Sequence, residues 1–308
     1  MPTTLTPAMI ESAFAPVRIA DREFGRARPG ESGQRQPVHT VYGGAHLFKT
    51  GTIEKIGALA RRYFQTYAAD ARQFATALGM TAGPGAAGAA ETLAQQVYRR
   101  VEDKLNREPV EDFRIDFEDG YGHRPSAEED DHAENCARAV AQEMASGVLP
   151  PFFGIRIRAL RDEANGRQGR TLDIFLSTLA QASGGRLPQN FVVTLPKVTL
   201  FQEVSGLVDL FEMLEANTAI APGSLKLEIM VESPHTLVDA EGRHHLPLLV
   251  DAGRGRCVAA HFGAYDFTAA LDVVSAYQHM GHPACRFARL MMQTGLADTG
   301  VRLCDGAT

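Results

Sequence analysis

Along much of the chain, apolar and polar residues alternate with a period of two in short segments, and each segment gives way to a stretch with helical spacing. Residues 225–232 show the strand pattern best: Leu225, Leu227, Ile229 and Val231 point one way, and Lys226, Glu228, Met230 and Glu232 the other. Residues 113–119 repeat it, with Phe113, Ile115 and Phe117 facing outward and Arg114, Asp116 and Glu118 inward. Further strands are predicted at 38–42, stopped by Gly43-Gly44, at 153–158, where Gly154 shares a face with Arg156 and Arg158, and at 190–197, 257–263 and 301–304. Helices are predicted at 52–78 (Ile53, Ile56, Leu59 and Tyr63 in phase), 91–106, 171–182, 201–214 and 283–297. Another is predicted to start at Ser126, whose hydroxyl would cap a first turn carrying Glu128 and Glu129.

Strand followed by crossover throughout argues for a parallel sheet with helices outside. Seven candidate strands suggest a (β/α)8 TIM barrel over residues 38–308 with its eighth strand missing, either because the chain is truncated or because a partner subunit completes the wall. A doubly wound open sheet is the alternative, but no G-x-G-x-x-G follows an early strand. Residues 1–37 read as an N-terminal arm, a short apolar turn at 9–14 followed by an irregular stretch at 22–36. The Gly/Ala-rich stretch 79–90 reads as a mobile connection, and Asp239-Ala240-Glu241-Gly242-Arg243 as an exposed turn.

Composition narrows the function. A chain of 308 residues with 44% apolar and 22% charged residues can bury a full core, and no apolar run is long enough to span a membrane. The net charge of −6 disfavours non-specific nucleic-acid binding, though a local basic pocket can still accept an anion. The four cysteines are scattered, with no C-x-x-C pair, as expected for reduced thiols. No basic start and apolar core mark a secretory signal at the N-terminus, so the expected location is the cytoplasm.

In a (β/α)8 barrel the chemistry lies at the C-terminal strand ends, which here carry Glu118-Asp119, Arg156, Lys197, Glu232 and Asp266. Inward charges lower in the strands are expected to pair with one another, Arg114 with Asp116 and Lys226 with Glu228. Glu232 and Asp266, read as the last residues of two successive strands, suit a Mg²⁺ ion, which is bound by one or two carboxylates and keeps positions for water and substrate oxygens. A 2-oxo acid is such a substrate, and its enolate would be stabilised by the cation. Arg156 can hold the substrate carboxylate or form a salt bridge with Glu118. Glu118 and Asp119 can order water, bind a second oxygen or hold Arg156 in place. Lys197 reads as a salt-bridge partner before a Schiff-base lysine, His244-His245 as a solvated pair, and His261 as packed in the core.

The motifs R-I-D-F-E-D-G at 114–120, Ile155-Arg156-Ile157, Leu195-Pro196-Lys197-Val198, Met230-Val231-Glu232-Ser233 and Phe262-Gly263-Ala264-Tyr265-Asp266-Phe267 occur in the order of the HpcH/HpaI aldolase and citrate lyase beta-subunit superfamily, which the chain resembles from about residue 38 to 271. The resemblance implies a phosphoenolpyruvate/pyruvate-type barrel and a Mg²⁺-dependent carbon–carbon lyase or aldolase. Its substrate would be a 2-oxo or 3-hydroxy acid, free or as a CoA thioester. It places Glu232 and Asp266 at metal-ligand positions and Arg156 at the substrate arginine. It also implies a homo-oligomer. The chain departs from the citrate lyase pattern at Arg158, where Asn is usual, and at Asp119-Gly120-Tyr121-Gly122, which replaces Asp-Ala-Val, so it reads as an atypical branch. A thioester hydrolase and an inactive binding or regulatory barrel are the alternative functions.

Overall fold

The computed structural model describes residues 3–80, 87–161 and 166–306. In chain order its elements are α1 (Pro7–Ala27), β1 (Val41–Gly44), α2 (Thr52–Tyr67), α3 (Ala71–Ala77), α4 (Ala87–Arg107), β2 (Asp112–Asp116), α5 (Ser126–Ser146), β3 (Phe152–Arg156) and α6 (Arg167–Ser183). They continue as β4 (Phe191–Leu195), α7 (Phe201–Asn217), β5 (Leu227–Val231), α8 (Pro234–Leu237), α9 (Leu246–Ala252), β6 (Cys257–Phe262), α10 (Ala264–Ala269), α11 (Pro283–Leu296) and β7 (Arg302–Cys304). The strand order is β1-β2-β3-β4-β5-β6-β7 and the ladders are parallel. A doubly wound sheet would reverse direction at a switch point; sequential order is that of a (β/α)8 barrel, here with seven strands among the described residues.

The chain forms two compact units, one of Pro37–Pro196 and Leu207–Lys226, the other of Met1–Gln36, Lys197–Gly206 and Leu227–Thr308. In the first, β2, β3 and β4 are buried along their whole length, as parallel strands covered on both faces must be. The outward phase of β2 and β3 builds the core: Phe113 stacks on Phe153 at 6.1 Å, Phe48 lies 5.5 Å from Phe113, and Phe117 meets Phe175 of α6 edge-on. In the second unit, Val231, Ala260 and Phe262 of the strands pack with Leu237, Leu246, Phe267, Ala288, Met292 and Leu296 from the helices. Among the described residues, no helix is long and apolar enough to cross a membrane, and the four cysteines are free.

Several local expectations change. Residues 7–27, read as an apolar turn and the start of an irregular stretch, form helix α1, started by Pro7 and by Thr6, whose hydroxyl accepts the Met9 N–H at 3.2 Å. The signal was weak because α1 buries none of its residues. The predicted helix 52–78 is two helices, since Asp70 turns extended and caps a new start by accepting the Gln73 N–H at 2.8 Å. Gly43-Gly44 does not stop β1 but continues it: a Cβ on Gly43 would lie 2.7 Å from Phe113 Cζ, so only glycine lets the strand pass the ring. Ser126 is the first residue of α5 rather than its cap, which is Pro125. Within the stretch 79–90, residues 81–86 lie outside the described residues and α4 begins at Ala87. The 239–243 segment is the expected turn, with Asp239 accepting the Arg243 N–H at 2.8 Å.

The histidines and the inner ion pairs also differ. His245 is buried, with Nδ1 2.8 Å from the His235 carbonyl, and His244 is half-buried against Gly295, so the pair is not solvated. Arg114 pairs with Asp112, its neighbour two places back on the same face, and not with Asp116. Glu228 faces His261 and Asp116 faces Arg156.

Candidate active site

Each unit brings chemically active side chains to its strand ends. In the second unit, Glu232 is the residue after β5, buried, and its Oε2 accepts the Lys197 backbone N–H at 2.9 Å. Lys197 presents that N–H from a left-handed backbone (φ 53°). Gly263, between β6 and α10, closes the other side of Glu232: a Cβ there would stand 2.4 Å from Glu232 Cγ and 3.0 Å from Oε1. Asp266 does not end a strand; it lies in the first turn of α10, where the helix dipole favours a carboxylate. The sequence Gly-Ala-Tyr-Asp looks strand-like because its residues are small or aromatic, yet Gly263 caps a helix here. Asp266 is about half exposed, and its Oδ2 is 3.8 Å from Lys197 Nζ. The two acids named from sequence thus flank one lysine, which is an ion-pair partner as expected. The floor is held by Thr236, whose buried hydroxyl donates to the Val198 carbonyl at 2.6 Å, and by Ser233, which caps α8.

In the first unit, register places Asp116 opposite Arg156 at the ends of β2 and β3. Arg156 Nε donates to Asp116 Oδ1 at 2.7 Å and Nη2 to Oδ2 at 2.5 Å, the two-point geometry a guanidinium prefers. Its Nη1 lies 3.2 Å from Glu118 Oε2 and 3.7 Å from Asp119 Oδ2, and its charge sits 5.1 Å from the centre of the Tyr42 ring. Burial works against the Arg156 charge, but its hydrogen bonds to Asp116 and the charges of Asp116 and Glu118 outweigh it and raise its pKa. Asp116 also accepts the Glu118 and Gly120 N–H groups at 2.9 and 2.8 Å, so one carboxylate organises the loop that carries Glu118 and Asp119. Sequence reasoning missed Asp116 as the main partner of Arg156. Its inward phase on β2, shared with Glu118, was the available signal.

The donor chemistry suits a hard cation. Glu232 and Asp266 offer carboxylate oxygens, and the missing Cβ of Gly263 is what lets the Glu232 side chain lie against that backbone. Among the described residues there is no group of three or more His, Cys, Asp or Glu side chains that could hold a metal.

A family model described as "Domain of unknown function (DUF6986)" matches residues 17–308. No curated protein matches the chain. Solved structures of Haloferax volcanii malate synthase are similar: its lead(II) complex (19% identity, TM-score 0.48, covering 64% of this chain and 53% of that one), its pyruvate/acetyl-CoA ternary complex (18%, 0.48, 64% and 50%) and its magnesium/glyoxylate complex (18%, 0.48, 65% and 55%). The chain spans about half the length of these structures.

Proposed function

The chain belongs to the DUF6986 family, a description that names no activity, and from its own residues we propose a Mg²⁺-dependent carbon–carbon lyase or aldolase. It would work through an enolate on a 2-oxo or 3-hydroxy acid, either free or as a CoA thioester. The observation that carries this reading is that Lys197 touches both acids, Glu232 through its backbone N–H and Asp266 through its ammonium, with Gly263 packed against Glu232. The motif order shared with the HpcH/HpaI aldolase and citrate lyase beta-subunit superfamily supports it.

Glu232 and Asp266 would hold the cation. When bound, Mg²⁺ supplies Lewis-acid stabilisation of negative charge developing on a substrate oxygen. The Lys197 backbone N–H fixes one oxygen of Glu232, leaving its orientation set before any ligand arrives. The Lys197 ammonium balances Asp266 in the absence of a second cation. Arg156, anchored on Asp116 through Nε and Nη2, would recognise a carboxylate through Nη1, exchanging the exposed Asp119 for the substrate. Glu118, 3.2 Å from the same Nη1, would then position that arginine, with Asp119 its partner until the substrate binds.

The test is hydrogen–deuterium exchange at the methyl group of pyruvate, followed by NMR, with and without EDTA. Exchange that stops in EDTA and in Glu232→Gln is expected; exchange unchanged by EDTA would overturn the cation's role. Thiol release from an acyl-CoA without carbon–carbon cleavage would select the thioester hydrolase instead.

A further inference from the structure

Three chemically active side chains of the second unit have no part in the proposed reaction. Adjacent strands β5, β6 and β7 carry Glu228, His261 and Cys304, and the β6–β7 register sets His261 opposite Cys304. His261 Nε2 is 3.0 Å from Cys304 Sγ, and its Nδ1 is 3.8 Å from Glu228 Oε1. Glu228 and His261 are buried, whereas Cys304 is partly exposed. Cys304 lines a cavity of about 180 Å³ together with Arg289, Met292, Gln293, Leu303 and Asp305. Carboxylate, imidazole and thiol in series is the arrangement that draws a proton from sulfur and leaves a nucleophilic thiolate.

We propose that Cys304 is an oxidation site for small hydroperoxides, kept reactive by His261 and Glu228. The Cys304 thiolate attacks one peroxide oxygen, forming an S–O bond and breaking the O–O bond. The sulfur loses two electrons, the peroxide gains them, and the proton on His261 goes to the departing hydroxide or alkoxide to give water or an alcohol. The product is a sulfenic acid, the reversible first oxidation state of cysteine.

The surroundings agree. Burial disfavours a charged His261, but its contacts with Cys304 and Glu228 outweigh that and raise it to about 10, so the ring holds its proton at neutral pH. Charged neighbours of Cys304 along the chain are Asp305, 3.5 Å from Arg289, and Arg302 two places back on the same strand, while the Asp305 carbonyl, 3.6 Å from Sγ, is the alternative partner of a protonated thiol. Burial pushes Cys136 and Cys257 up to about 12 and also raises Cys285, so these three thiols keep their protons at neutral pH. The site stands apart from the proposed lyase reaction, so failure of one leaves the other intact.

The experiment exposes the full chain to hydrogen peroxide with dimedone, a sulfenic-acid trap, and maps the adduct by peptide mass spectrometry. The adduct should fall on Cys304, vanish in Cys304→Ser, and form about fivefold or more slowly in His261→Asn and Glu228→Gln. Should His261→Asn not fold, Glu228→Gln carries the same comparison, and thiolate absorbance at neutral pH, present in the native chain and lost in Cys304→Ser, reads the ion pair directly. Adduct on no cysteine, equal rates in Glu228→Gln, or thiolate absorbance untouched by Cys304→Ser would each overturn the proposal.

Discussion

Replacing Gly263 with alanine isolates the contact on which the carboxylate site rests. The backbone there (φ −104°, ψ 92°) is open to any L residue, so the substitution introduces no strain of its own. What it introduces is a methyl group 2.4 Å from Glu232 Cγ and 3.1 Å from Cδ. Carbon atoms settle at about 3.5 Å or more, so the Glu232 side chain must retreat by roughly 1 Å. That motion strains the buried packing, at about 1–3 kcal/mol. It also pulls Oε2 from the Lys197 N–H, a charged hydrogen bond of 2.9 Å whose loss costs about 1.5–3 kcal/mol. We expect Gly263→Ala to lower unfolding free energy by about 2.5–6 kcal/mol in urea titrations. In a Glu232→Ala background the three atoms nearest the methyl are gone, and the same change should cost less than about 0.5 kcal/mol, the limit for uncoupled sites. Calorimetric titration with Mg²⁺ should show affinity falling by about tenfold or more in Gly263→Ala, as for other shifted metal ligands. An equal cost in both backgrounds would refute the reasoning, because the penalty would then arise from something other than Glu232.

Three further outcomes follow from the same contacts. Asp116→Ala should destabilise by about 3–5 kcal/mol, since it strips the main partner from buried Arg156, while Asp119→Ala, exposed and 3.7 Å away, should cost under about 1 kcal/mol; similar costs in denaturant melts would sink this ranking. Lys197→Gln should tighten Mg²⁺ binding by about fivefold, because it removes a like charge beside Asp266, and borohydride with pyruvate should leave no adduct on native Lys197; weaker binding or an adduct would count against the assigned role. Burial lowers the His244 pKa below its ordinary 6.5, so the unfolded chain binds more protons there than the folded one as pH drops, and stability from this group is present above about pH 6.5 and lost below it. Urea midpoints from pH 7.5 down to about 5 should therefore fall more steeply in the native chain than in His244→Gln, and parallel slopes would contradict this sign.

The alternation of strand and helix and the two-residue phase of each strand were legible in the sequence, because a parallel sheet covered on both faces imposes both on every segment. That phase suffices to put Arg156 and Glu232 at strand ends and to predict the barrel order. It does not say which inward charge meets which, since a partner on the next strand depends on register. Asp116 could be assigned to Arg156 only once β2 and β3 were aligned, and Cys304 to His261 only once β6 and β7 were. Asp266 turned from a strand end into a helical first turn because Gly263 can bend the chain against Glu232, a contact made by residues far apart in sequence. Helix α1, with no buried residue, and the buried His245 mark the same boundary from opposite sides: periodicity reports a face only where something packs on it, and what packs there is decided by the folded chain.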